Sequence, residues 1–172
     1  MNIRHATAAD VNTLAFIEAA CFPPAEAADA QAIAARVAAY PAHFWLLEDG
    51  GTVVGFVNGM ATNMPDLQDE MYDNTGLHTE AGRWQMIFGV NTLPAYRGQG
   101  CAARLLRRAI ADAEAQGRAG LVLTCKERLI HYYAKFGFAD EGVSASAHGG
   151  AVWHQMRLTF SVRQTSSKQG LK

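Results

Sequence analysis

Residues 84–92 read WQMIFGVNT, a near-continuous apolar run, and LPAYRGQGCAARLL follows without a break. An apolar run of this length suits a central strand covered on both faces. Past the glycines, Ala102, Leu105, Leu106, Ala109, Ile110 and Ala113 recur at helical spacing and give the next helix an apolar face, with Gly117 as its stop. A buried strand running through a turn into an amphipathic helix restricts the chain to an α/β architecture.

The remaining segments agree with that class. Residues 2–5 read as a strand, and Thr7 to Asp10 resembles an N-cap with an acid in the first turn. The helix that follows presents Val11, Leu14 and Ala15 on one face and ends at Phe22-Pro23-Pro24. A second, alanine-rich helix spans 28–39. Two apolar runs, 44–48 and 52–60, flank Asp49-Gly50-Gly51 as a hairpin. Residues 62–82 are polar and read as a long loop, a feature that is often functional. After the amphipathic helix come a short strand (121–124), a helix over 127–136 ended by Gly137, and strands near Phe138 and over 151–160. This order implies a mixed sheet. One domain over 1–160 accounts for the pattern, with a polar tail at 161–172 expected to fray.

Composition excludes several functions. With 49% hydrophobic and 18% charged residues and a net charge of −1, the chain has neither a basic nucleic-acid face nor an acidic tail. No segment approaches a spanning helix, and residues 1–5 do not read as a signal peptide. The three cysteines (Cys21, Cys101, Cys125) are widely spaced and the six histidines scattered. That speaks against a disulfide framework or a metal centre, and for a reducing, cytoplasmic setting. A homodimer is left open.

The turn at 97–103 reads either as a plain glycine-rich start to the helix or as a socket for an anion, to which unpaired N–H groups, the positive end of the helix dipole, glycines that allow close approach and the Arg97 cation would contribute. A Walker loop requires Gly-Lys-Ser/Thr, whereas Cys101-Ala102 follow Gly100. Gly98-x-Gly100-x-x-Ala103 passes the loose dinucleotide pattern, but residues 93–97 separate it from the strand and too few β-α units remain for two nucleotide-binding halves.

Arg97-Gly98-Gln99-Gly100-Cys101-Ala102 resembles the Arg/Gln-x-x-Gly-x-Gly/Ala signature of the GNAT superfamily of N-acetyltransferases. The preceding strand, Pro94, and Tyr133-Ala134-Lys135-Phe136-Gly137-Phe138, with the family's Tyr-x-x-x-Gly-Phe pattern, extend the likeness over about 1–160. The resemblance implies a GNAT-type acyl-CoA fold, in which a mixed central sheet with a splayed pair of parallel strands is flanked by helices. It implies acetyl-CoA as cosubstrate, with no metal. Residues 97–103 (Arg97, Gly98, Gln99, Gly100, Cys101, Ala102, Ala103) would hold the pyrophosphate. Val90, Asn91 and Thr92 would hold the pantetheine arm and the oxyanion through backbone groups, and Tyr133 would be the general acid to the departing thiolate. Residues 22–28, 94–100 and 125–129 look like the arylalkylamine (serotonin) branch, which implies a small arylalkyl or aliphatic amine as acceptor.

The base departs from that branch, which carries two histidines on the central strand where this chain has Met86 and Phe88. His78, Glu80 and Glu26 are the candidates, with a water chain and no single base as the alternative. His131, His148 and His154 have no context that points to chemistry. Phe22, Met64 and Phe88, with Met60 and Met71, are expected as apolar walls of an acceptor pocket made acidic by Glu26, Asp66, Asp69, Glu70 and Asp73. A protein N-terminus or lysine as acceptor, or a non-catalytic acyl-CoA sensor, are the rival readings.

Overall fold

The computed structural model describes residues 1–162; most of the expected frayed tail, residues 163–172, lies outside the described residues. Strand β1 (Asn2–Arg4) leads through a short 3-10 turn into α1 (Val11–Cys21). The Asp10 carboxylate accepts the Thr7 amide at 2.8 Å, so a backbone donor that the helix start would orphan is paired. Phe22 adopts an extended backbone before the two prolines and ends α1. Asp29 caps α2 (Ala30–Ala39), its Oδ1 accepting the Ala32 amide at 2.8 Å.

Strands β2 (Phe44–Asp49) and β3 (Thr52–Asn58) form the expected hairpin. The 62–82 segment is not a bare loop. It follows β4 (Ala61–Thr62) and contains the single-turn helix α3 (Glu70–Asp73) and a 3-10 turn at Thr75–Leu77.

The run 84–92 also differs from expectation, since it is two strands rather than one. Strand β5 (Trp84–Ile87) and β6 (Gly89–Thr92) are separated by Phe88 and belong to different sheets. After α4 (Cys101–Ala115), β7 (Gly120–Cys125) pairs parallel with β5, from Trp84↔Gly120 to Ile87↔Leu123. Beyond Phe88 the chain leaves β7 and pairs antiparallel with β3, from Asn58↔Gly89 to Gly55↔Thr92. Alternate burial cannot reveal such a switch, because both halves are covered. The chain ends with a 3-10 turn at Glu127–Leu129, α5 (Ile130–Ala134), β8 (Ala139–Val143) and β9 (His154–Thr159). The sheets run β1-β2-β3-β6 and β4-β5-β7-β9-β8.

One core layer packs α4 and α5 on the sheets through Trp45, Leu105, Leu106, Leu123 and Tyr133. The other packs α1 and α2 through Leu14, Ile17, Ile33, Phe44, Phe56 and Met86. Strand β6 is an edge of its sheet and does not pair with β7, so the chain diverges from β7 beyond Phe88. Among the described residues, no helix is long and apolar enough to cross a membrane.

Candidate active site

The glycine turn has the geometry of an anion socket. Gly98 (φ 75°) and Gly100 (φ 77°) are both left-handed, and Gly100 is the N-cap of α4. A Cβ at either would meet nothing within 4 Å, so positive φ, and not crowding, calls for glycine, and the space above the turn is open. The first helical hydrogen bond at this end is donated by Arg104 to the Gly100 carbonyl (3.0 Å), so the preceding amides have no helical acceptor. Arg97 folds back, its Nε donating to the Thr92 carbonyl at 3.2 Å, and ties the turn to the end of β6. Cys101 is buried, with its thiol toward the Tyr96 carbonyl at 3.5 Å, and it fills space under the turn.

Where β6 leaves β7 there is a cavity of about 490 Å³, large enough for a small-molecule site. Its walls include Phe22, Phe88, Val90, Arg97, Cys125 and Tyr133. Thus Val90 and Arg97 reach it from the proposed donor-binding stretch. Asn91, on the opposite face of β6, is fully buried, with both side-chain polar atoms unpartnered. It lies beside the Glu18 carboxyl.

Tyr133 is held by aromatic packing. Its ring lies edge-on to Tyr132 (centroids 5.2 Å apart) and Phe138 (6.2 Å). Burial pushes its hydroxyl far above the ordinary tyrosine value, and the nearby Cys125 and Tyr132 push it the same way. The phenol therefore stays protonated across any working pH, which is the form a proton donor needs. Cys125 lines the same wall, its thiol pushed up to about 11 by burial and by Asp140; a thiol so disposed is a poor nucleophile.

A second cavity of about 390 Å³ adjoins the first, between α1, α2 and the segment carrying Tyr72. Glu18, Glu26, Tyr72, Phe88 and His148 border both cavities. The Glu18 carboxyl is buried; its Oε1 accepts the Ala28 amide at 3.2 Å and its Oε2 has no partner. Burial raises its proton affinity, which the Ala28 amide and Arg36 only partly oppose. Glu26 is ion-paired with Lys126, 2.9 Å away. Arg36, also buried, donates to the Tyr72 carbonyl at 3.0 Å and stacks on Phe88, 5.0 Å from its ring centre.

The residues singled out from the sequence are thus brought together only in part. Phe22, Phe88, Glu26, Val90, Arg97 and Tyr133 share one cavity, whereas Met64 packs against the α1/α2 core layer and borders neither. Met60 and Met71 are fully buried in that layer, and Asp66 pairs with Arg157 at 2.7 Å. His78 and Glu80 lie at the start of β5, while the cavities open at its end. There they join His43, their ligand-type atoms within 4.8 Å of one another. Each of the three side chains has hydrogen-bond partners. The Ala61 amide donates to His78 Nδ1 (3.1 Å), which leaves the proton of the neutral ring on Nε2, facing Glu80 at 2.9 Å. His43 Nδ1 faces Gln85 Oε1 at 2.7 Å, and its Nε2 faces Glu80 at 2.9 Å. The Arg118 guanidinium lies 3.7 Å from Glu80 and supplies a cation there.

Two bordering residues were missed in the sequence. Glu18 lies one turn after Leu14 on the buried face of α1, and that spacing was its signal. His148 precedes two glycines in a turn, and only tertiary contacts give it a setting.

The model of the Acetyltransferase (GNAT) family matches residues 11–138. A Mus musculus protein described as "Probable N-acetyltransferase family 8 member 5" is 33% identical over 103 residues, 58% of this chain; the match takes in only 39% of the mouse protein's length. The structure of GphF GNAT-like decarboxylase in complex with isobutyryl-CoA superposes with a TM-score of 0.80 at 20% identity, covering 92% of this chain and 99% of that one. A GNAT family acetyltransferase from Brucella melitensis in complex with acetyl-CoA gives a TM-score of 0.59 at 21% identity, covering 93% of this chain and 88% of that one.

Proposed function

Because the chain belongs to the GNAT acetyltransferase family, we propose that it transfers the acetyl group of acetyl-CoA to the primary amine of a small arylalkyl or aliphatic amine. The observation that carries the reading is the position of Tyr133, protonated and packed in the wall of the cavity where β6 and β7 part.

In this account the α4 N-terminus and Arg97 bind the pyrophosphate, and the N–H groups of Gly98 to Ala103 supply the donors. The pantetheine arm follows β6, whose edge facing β7 has lost its strand partner. Tyr133 gives its proton to the departing sulfur. A phenol is a weaker acid than a thiol, whose value is about 8.5, so the transfer relies on the hydroxyl meeting the sulfur as charge develops in a site poor in water.

The acceptor enters through the adjoining cavity. Phe88 and Tyr72 supply apolar wall, with Phe22 on the side of the first cavity, and Asp29 and Asp73 supply negative charge for a cationic amine. The size of this chamber suits a small molecule. The likeness of residues 22–28 to the arylalkylamine branch favours the same class.

The test is a thiol-release assay with a panel of amines, run on the protein and on Tyr133→Phe. The account expects release that depends on amine and falls by about 10²-fold or more in the variant. Full activity of Tyr133→Phe across pH would remove Tyr133 from the mechanism.

A further inference from the structure

The transfer described above leaves one function unassigned, the removal of a proton from the acceptor nitrogen. One built feature of the two cavities is also without a role: the turn Ala147–Gly150, which carries His148.

This turn is held from several sides. The Asp69 carboxylate accepts the Ala147 amide at 3.0 Å and the Ser146 hydroxyl. Trp153 Nε1 donates to the His148 carbonyl at 2.8 Å. Gly149 has φ 63°, and a Cβ there would lie 2.5 Å from Glu26 Cγ, so the turn presses against the loop after α1 and only glycine fits. The imidazole stacks on Tyr72, with centroids 4.5 Å apart and planes 30° apart.

Its tautomer follows from its partner. His148 Nε2 lies 2.8 Å from the Glu26 carbonyl oxygen, which can only accept, so Nε2 carries a proton. In the neutral ring Nδ1 therefore keeps its lone pair. No hydrogen bond occupies Nδ1 among the described residues, and the side chain borders both cavities.

We propose that His148, through Nδ1, is the general base for the acceptor amine; this rests on the transfer reading above. Imidazole is the side chain suited to exchanging protons near neutral pH. The groups facing it are the Glu18 carboxyl, Tyr72, Glu26 with its partner Lys126, and Asp69 at the base of the turn. Nδ1 takes one proton from the bound ammonium and frees the nitrogen lone pair; as the C–N bond then forms and the C–S bond breaks, the Tyr133 proton passes to sulfur and the surplus proton on nitrogen passes to solvent. The imidazolium and the phenolate then return to their starting forms by exchange with solvent. The products are the N-acetylamine and the CoA thiol.

The test compares His148→Gln with the unaltered protein on phenethylamine, which is mostly protonated at pH 7, and on trifluoroethylamine, which is mostly neutral there. Acetyl-CoA-induced thermal stabilisation reports folding and donor binding. The expected result is a kcat loss of about 10²–10³-fold on phenethylamine, a loss under about 10-fold on trifluoroethylamine, and loss of the rise of kcat with pH through neutrality, all with donor stabilisation retained. His148→Asn, which also keeps an amide donor, replaces the glutamine variant if that fails to fold. An unchanged kcat, a rise in KM alone, or an equal loss on both amines would overturn the assignment. If the unaltered protein bound acetyl-CoA yet released no thiol with either amine, the transfer reading itself would fall, and the base with it.

Discussion

Lys126 Nζ lies 2.9 Å from Oε1 and 3.1 Å from Oε2 of Glu26, joining the end of β7 to the loop after α1. Glu26 borders both cavities and Lys126 the larger one, and the lysine also lies over the Trp153 ring at 5.6 Å. Two segments far apart in sequence are thus held by one charge pair whose acidic member is nearly enclosed.

Replacing the cation should therefore destabilise the fold more than an exposed pair would. For Lys126→Met the expected loss is about 1–3 kcal/mol, because Glu26 is left enclosed and uncompensated. Urea unfolding at neutral pH measures it, and a midpoint equal to that of the unaltered protein would contradict the role given to the pair.

Gly100→Ala places a Cβ on a left-handed residue at the N-cap of α4. The backbone penalty is about 1–2 kcal/mol, and the amide cradle can relieve it only by changing shape. The KM for acetyl-CoA should rise several-fold with kcat for the amine little changed. Steady-state kinetics with the donor varied would show the split.

Gly149→Ala drives a Cβ into Glu26 Cγ and displaces the turn holding His148. Its expected signature is the reverse, a fall in kcat for alkyl amines with the KM for acetyl-CoA unaltered. An effect confined to donor binding would mean that the turn serves the wrong substrate.

Asp10 is held down to about 2 from an ordinary 3.8, chiefly by its hydrogen bond to Arg4. A depressed carboxyl contributes stability above its unfolded value and loses it as pH falls through the folded one. Asp10→Asn should therefore destabilise the protein by about 1–2 kcal/mol at pH 6, a figure discounted for the partly exposed Arg4, and the difference should vanish as pH approaches 2. Thermal melts of both proteins over this range check the sign.

These features differ in how far the sequence announced them. The left-handed turn at Gly98 and Gly100 and the helix that carries Tyr133 were legible because backbone conformation and spacing are local; Arg97 and Tyr133 line the cavity. The hairpin at Gly50-Gly51 was legible for the same reason. The split of 84–92 at Phe88 was not, because apolar patterning reports burial and is silent on which neighbour a covered strand pairs with. His148 was opaque for a related cause: its tautomer is set by the carbonyl of Glu26, 122 residues away. His78 and Glu80 were legible as ionisable groups, but not their partners: the Ala61 amide donates to His78 Nδ1, and the Glu80 carboxylate lies against Nε2 of both His78 and His43.

The central claim is transfer of acetyl from the CoA thioester to an amine nitrogen. Its most direct measurement follows acetyl-labelled acetyl-CoA with phenethylamine by NMR, with thiol release recorded in parallel. The account predicts one N-acetylamine formed for each CoA thiol freed, and no free acetate. Thiol release accompanied by acetate and no acetylated amine, or bound acetyl-CoA that persists intact with every amine supplied, would contradict it.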